Sequence, residues 1–423
     1  MSEPSHPLQI RDYRLVWLTR FISVNATNAI VVVIGAQTYQ LARSAHGMAP
    51  DQAAFLLGLL GLAQFIPFML LTPVAGLLAD RMDRRHLAAA STAIDLVIAL
   101  VLALANAQGF ITLPLLFAMA ALHGAARVFI GPSISAIVPN VVPANLLPKA
   151  VATSSIAWQS AAVIGPALAG FLLARSEALP YWYSSALLVL AIIAVLSIEH
   201  RARPAPSTDH PIKMIAEGAR FVWHERFLLG CVTLDLFAVL LGGATAMLPA
   251  FAYDVLHVGD EGLGLLRAAP AFGAVAVALW LAIAPIARNV GTKMLASVAV
   301  FGLATLVFGL STSFPLSLAM LALLGAADAI SVFIRSTLVQ LNTPDDKRGR
   351  VSSISGLAIS ASNELGEMQS GLAAALLGPV GAVALGGVGA VLVTLLWTVL
   401  FPELKNAKTF APQYRNKEPV HEG

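Results

Sequence analysis

The chain has 423 residues, of which 58% are hydrophobic and only 12% charged, with a net charge of +3. A soluble domain carries about 25% charged residues, so this composition excludes a water-covered globular protein and predicts a polytopic helical membrane protein. The single cysteine, Cys231, lies in an apolar run, which rules out an internal disulfide and speaks against a redox or zinc site. The small basic excess does not point to nucleic acid.

The N-terminal MSEPSHPLQIRDYR is short and polar, and the apolar run behind it is too long for the core of a cleavable signal, so none is expected. Apolar runs of membrane length then follow in series. The first six are read at 15–40, 53–79, 87–106, 111–138, 148–174 and 179–198. Six more are read at 227–252, 262–287, 292–312, 314–340, 350–376 and 379–401. The fold class is therefore all-α, with twelve transmembrane helices in two six-helix halves. The halves are 1–198 and 227–402, joined by a linker at 199–226 and followed by a polar tail at 403–423.

Lys and Arg alternate between the loops. Arg81, Arg84 and Arg85 lie between spans two and three; Arg201, Arg203, Lys213, Arg220 and Arg226 between six and seven; Lys347, Arg348 and Arg350 between ten and eleven. With twelve spans these share one side with both basic termini. The opposite loops hold little beyond Arg43 and Arg175. The positive-inside rule assigns the basic side, with both termini, to the cytoplasm. In the linker, EHRARPAPSTDHP is polar and Pro-rich; the following IKMIAEGARFVWHERF spaces Ile212, Ile215, Ala219 and Val222 as one face of an amphipathic helix.

The halves echo one another. A shift of 201 positions, the distance from Gly124 to Gly325, superposes Gly124-Ala125-Ala126 on Gly325-Ala326-Ala327. It also carries Ser135 onto Ser336, Pro143 onto Pro344, Gly165 onto Gly366 and Gly170 onto Gly371, without a gap. A parallel repeat of two halves is one transporter architecture.

The densest charge cluster sits in the turn GLLADRMDRR, Gly76 to Arg85, between two oily spans. Twelve spans, a basic linker and the pattern G-x-x-x-D-R-x-x-R-R in this turn resemble the major facilitator superfamily. The segments RDYRLVWLTRFIS, NTPDDKRGRVSSISG and SNELGEMQSG are similar to its branch of enterobactin (siderophore) exporters and drug-efflux proteins. The resemblance covers the whole chain as architecture. It implies a cytoplasmic latch between the halves, carried by Asp80, Arg81, Arg84 and Arg85, with Gly76 allowing close helix approach. One departure is Asp83, where the family often has a glycine that would ease the turn. A topology signal alone is the alternative reading, but arginines would suffice for that and Asp80 would be superfluous.

Ionisable residues inside spans cost roughly 2.5–3.5 kcal/mol each on an insertion scale, so they face a cavity or a partner. They are Arg20, Asp95, Arg127, Asp235, Arg267, Asp328, Arg335, Glu364 and Glu367. The resemblance implies a central cavity lined by spans one, four, seven and ten, which carry Arg20, Arg127, Asp235, Asp328 and Arg335. The repeat makes Arg127 and Asp328 equivalent positions, and the seven-residue spacing of Asp328 and Arg335 puts them on one helix face. Candidates for substrate or proton coupling are thus Arg20, Arg127, Asp235, Asp328, Arg335, Glu364 and Glu367, with Asp328 first. Static ion pairs, or arginines reaching for headgroups, are the structural alternatives. Asp95 is read as support for the charged turn. Asn25, Asn28, Gln64, His123 and Gln159 are read as interhelical hydrogen-bonding groups.

No GxxxxGK[ST], HExxH or CxxC occurs, so no ATP motor, metal hydrolase, enzyme activity or cofactor is expected. The expectation is a proton-coupled exporter of a small organic molecule in the bacterial inner membrane, acting by alternating access. The intramembrane arginines favour an anionic substrate, and the resemblance implies a catecholate siderophore. Multidrug efflux of cationic or neutral compounds and a lysophospholipid flippase of the same fold are the alternatives. The partners are this substrate, protons and the lipid bilayer, and a monomer is expected.

Overall fold

The computed structural model describes residues 5–199, 211–344 and 347–411. Helix is the answer the composition demands, because a bilayer offers no partner for backbone N–H and C=O groups. The first six long helices are α1 (Arg11–Ser44), α2 (Pro50–Arg81), α3 (Arg84–Gln108), α4 (Leu113–Val141), α5 (Leu147–Leu173) and α6 (Leu179–Leu196). A short α7 (Pro211–His224) precedes α8 (Arg226–Leu241), α9 (Gly259–Ile283), α10 (Val290–Leu310) and α11 (Phe314–Asn342). The last helical stretch, Arg348–Leu400, is broken at Gly378 (φ 72°, ψ 169°), ahead of Pro379. Only glycine adopts that backbone without strain. It divides the stretch into α12 (348–377) and α13 (379–400); with α8 taken together with its irregular continuation to Val255, this gives twelve membrane-length segments among the described residues, as the hydropathy pattern predicts. A five-residue α14 (Pro402–Asn406) follows.

Proline punctuates the starts: α2, α4, α5, α6 and α11 each carry one in the first two positions, where its missing N–H costs nothing. Large apolar side chains face outward rather than into a core: Leu70, Ile283, Leu376 and Val399 are 71–85% exposed. A hydrocarbon solvent leaves these side chains no cost to bear.

The chain forms two compact units. One comprises Met1–Thr208 with Leu248–Ala271; the other comprises Asp209–Met247 with Phe272–Gly423. In the first, α1 packs on α5 and α6, α3 on α4 and α6, and α2 on α4. In the second, α10 packs on α11 and on the α12–α13 stretch, which also packs on α8. The repeat has a structural counterpart inside each unit. A Cβ on Gly165 of α5 would stand 2.6 Å from the Asn25 carbonyl of α1, and one on Gly366 of α12 would stand 2.8 Å from the Val239 carbonyl of α8. The two glycines superposed by the 201-residue shift thus serve the same backbone-to-backbone packing in both units. Small residues let helices approach closely enough for dispersion to hold them in lipid.

The seventh span departs from expectation. One helix over 227–252 is predicted, but α8 ends at Leu241, and the chain continues through a 3-10 turn (Ala244–Met247) and a π-helical turn (Phe251–Val255). Gly242-Gly243 supplies the weak point. Gly243 is pressed on the Gly366 backbone, where a Cβ would meet its carbonyl at 2.6 Å. The amphipathic segment does form a helix, but it is docked rather than lying free. Val222 is 4% exposed in the core of the second unit, whereas Ala219 is exposed; Ile212 and Ile215 lie outside the described side chains. The linker residues 200–210 also lie outside the described residues. Beyond the last span, Leu404 and Ala407 are buried against α10, and Arg226 pairs with Glu403 at 3.4 Å.

Candidate functional site

The charged turn is built from the start of α3. Asp83 is its N-cap: the carboxylate accepts the Arg85 backbone N–H at 3.0 Å and holds the Arg85 guanidinium through Nη2 at 2.7 Å. Its φ of −61° is ordinary for any residue, so the glycine that the family often has is not required by this geometry. Arg85 also donates to the Ile198 carbonyl at the end of α6, and Arg84 donates to the Ala136 carbonyl of α4 at 2.9 Å. Both arginines therefore fasten helices of their own unit. Gly76, Asp80 and Arg81 fall in the last turns of α2, and their side chains lie outside the described residues.

The Arg85 side chain, by hydrogen bonding to it, holds the Asp83 carboxyl below the usual carboxylate range. A depressed value means that the ionised form stabilises the fold. The contribution is complete above the unfolded value of about 3.9 and is lost as pH falls through the lower folded value. Asp83→Ala, which removes both cap and pair, is expected to destabilise the protein by about 1 kcal/mol. Asp83→Asn keeps a capping acceptor and is expected to cost less. In thermal melts its deficit against the unmodified chain should be constant from neutral pH to about 5 and close in strong acid. A deficit unchanged in strong acid would dissociate it from the carboxylate's charge.

Within the first unit, Arg20 donates to the Ser154 hydroxyl of α5 at 3.0 Å, and the Arg127 guanidinium of α4 stands 5.0 Å above the Phe68 ring of α2. Asn25 accepts from the Tyr183 hydroxyl at 2.8 Å, an interhelical bond of the kind expected of it. Asp95 does not reach the charged turn. It is 1% exposed on α3 and accepts from His123 Nδ1 of α4, 3% exposed, at 2.8 Å. Its other oxygen is buried without a hydrogen bond among the described residues.

The first unit also contains a cluster that the sequence reading did not collect. The Tyr39 hydroxyl donates to Asp254 at 2.5 Å, and Arg43 pairs with the same carboxylate at 3.1 Å. Asp260 accepts from the Tyr253 hydroxyl at 2.6 Å and from Gln40 at 3.1 Å. Tyr39 and Tyr253 stack with centroids 6.3 Å apart. Asp254 sits in the π-helical turn, a local irregularity that recurs at functional sites.

In the second unit the structure brings three of the candidates together. Asp235 of α8 and Arg335 of α11 form an ion pair whose side chains are 9% and 7% exposed. Asp235, Asp328 and Ser331 line one small cavity with Val298 and Phe301; its volume is about 10 Å³, close to one water site. The cluster holds two carboxylates and one guanidinium, so with Asp328 ionised it carries one uncompensated negative charge. Glu364 is buried on α12, and Glu367 is half-buried one turn later.

The family model described as Major Facilitator Superfamily matches residues 16–366. The enterobactin exporter EntS of Citrobacter koseri is 28% identical over 415 residues, covering 97% of this chain and 95% of that protein. EntS of Escherichia coli K12 is 26% identical over 405 residues, covering 95% and 94%. Among solved structures, a peptide transporter of the POT family aligns with a TM-score of 0.75 at 11% identity, covering 95% of this chain and 96% of that one. A D-xylose–proton symporter aligns with a TM-score of 0.69 at 13% identity, covering 93% and 98%. The fold is therefore shared across transporters whose sequences have diverged almost completely, and with a match over most of its length this chain belongs to the Major Facilitator Superfamily of membrane transporters.

Proposed function

We propose that this protein is a proton-coupled exporter of an anionic, catecholate-like organic molecule, working by alternating access in the bacterial inner membrane with both termini in the cytoplasm. The observation that carries the coupling is the Asp235–Arg335–Asp328 cluster. An ion pair that consumes one carboxylate leaves Asp328 as the group whose charge a proton removes, beside a cavity that admits one water. Protonation there changes the electrostatic cost of burying the cluster. That cost is the quantity a conformational cycle must modulate. The substrate class is supported by the siderophore exporters that the chain resembles along almost its full length, and by arginines on α1 and α4. Gly76, Asp80, Arg81, Arg84 and Arg85 keep their proposed part in a cytoplasmic latch.

Purified protein in liposomes under an imposed pH gradient is expected to move a catecholate siderophore in a gradient-dependent manner and to leave a cationic dye behind. Movement of the dye alone would make the protein a multidrug transporter, and movement of a lysophospholipid alone a flippase. Asp328→Asn is expected to abolish the gradient-driven component while leaving the melting profile intact; transport at the unmodified rate would remove Asp328 from the coupling.

A further inference from the structure

The second unit holds a cavity that the transport reading does not use. It has a volume of about 510 Å³ and is lined by Glu217, Gly218, Arg220, Phe221, His224, Lys347 and Arg350. Two chain segments build it. One is α7; the other is the turn between α11 and α12 with the first residues of α12. Gly218 brings them together, since a Cβ there would stand 2.7 Å from the Arg350 carbonyl. Glu217 then pairs with Arg350 at 2.8 Å, and the Lys347 ammonium stands 4.5 Å over the Phe221 ring. These contacts fix the walls and leave an unbalanced charge. Among the described lining residues three permanent cations face one carboxylate, and that carboxylate is engaged by Arg350. Arg220 and Lys347 have no acidic partner among the described residues; Asp345 and Asp346, which precede Lys347, lie outside them.

We propose that this hollow binds a phosphate-bearing anion, the phosphodiester headgroup of an acidic phospholipid being its occupant. The volume lies within the range of small-molecule sites. The side chains are those that recognise phosphate: guanidinium as a fork, ammonium as a point charge. The setting is that of a lipid site. Trp223, 73% exposed on the same helix, is the residue type that anchors at a headgroup layer. The basic loops put this face toward the cytoplasmic leaflet, where basic pockets hold acidic headgroups. A headgroup seated here ties α7, which runs directly into α8, to the start of α12. The lipid then braces the two elements at the entry to the second unit.

The full-length protein, stripped of lipid in detergent, is titrated with phosphatidylglycerol and with phosphatidylcholine of the same chain length, and retained lipid is counted by native mass spectrometry. Phosphatidylglycerol is expected to be retained at least about fivefold better, the effect of one cation near a membrane surface. Arg220→Gln/Lys347→Gln is expected to abolish that preference and Arg220→Lys to preserve it. Lys293→Gln, an exposed change at the start of α10, is expected to retain it. Melting profiles confirm that the variants are folded. Displacement of the lipid by glycerol phosphate at equal concentration would assign the same site to a soluble phosphate compound; failure to displace it assigns the site to lipid. Equal retention of both lipids, or equal loss in the Lys293 variant, would overturn the site.

Discussion

Replacing Arg335 by methionine is expected to destabilise the protein by about 3–5 kcal/mol, because it leaves Asp235 buried and ionised without its partner. Both side chains are less than a tenth exposed, and both sit on membrane-spanning helices of one unit. Asp235→Asn leaves the guanidinium unpaired and is expected to cost a similar amount. Removing both charges together is expected to restore most of the loss, since desolvation of two ions roughly offsets their attraction. The double variant Asp235→Asn/Arg335→Met should therefore melt close to the unmodified protein, while each single variant melts well below it. On the proposed coupling its gradient-driven transport is nevertheless expected to fail, because a proton on Asp328 then has no buried ion pair beside it to act on. Single variants as stable as the parent would show that the pair is solvated and does not support the proposed coupling cluster.

Much of this architecture was legible because hydropathy reports a bulk property. Twelve apolar runs became twelve segments, and the boundary placed between 376 and 379 falls on the Gly378 break. Gly165 and Gly366, matched only by a sequence shift, occupy the same packing role in their units. Rotation and pairing were not legible. Asp95 and His123 are 28 residues apart on two helices, and hydropathy contains nothing about which faces of α3 and α4 meet. Asp83 was read as a substitute for a turn glycine, although Asp followed by a helix start is also a capping pattern. Sequence alone gives Arg43 only as one of the few basic residues of the opposite loops, whereas its carboxylate partner lies in the π-helical turn more than two hundred residues away. Sequence spacing identifies charges that are expensive in a membrane. Only the folded arrangement tells which of them are paired.

That distant pairing motivates the second large effect. Asp254→Ala together with Asp260→Ala is expected to release the Leu248–Ala271 segment from the end of α1. The two carboxylates receive two tyrosine hydroxyls, one glutamine amide and one guanidinium, at 2.5–3.1 Å. Hydrogen bonds to a charged acceptor contribute about 1.5–3 kcal/mol each, and a partly exposed ion pair such as Arg43–Asp254 contributes less than about 1 kcal/mol. Deleting both acceptors removes enough to shift a two-state equilibrium by roughly thirtyfold or more. Gly35 supplies the reporter, because a Cβ there stands 3.9 Å from Pro249, an ordinary contact that a cysteine tolerates. In a Cys231→Ser background, Gly35→Cys is expected to react slowly with a membrane-impermeant maleimide, and at least about tenfold faster once Asp254 and Asp260 are gone. If the chain works by the proposed alternating access, transport should change with it: release of this segment from α1 would let substrate leak back down its gradient, and proton-driven accumulation would fall. An unchanged labelling rate would mean that the backbone packing of Gly170 and Gly264 holds the segment without help from the carboxylates, and the Asp254–Asp260 cluster would then be a surface network with no part in the proposed cycle.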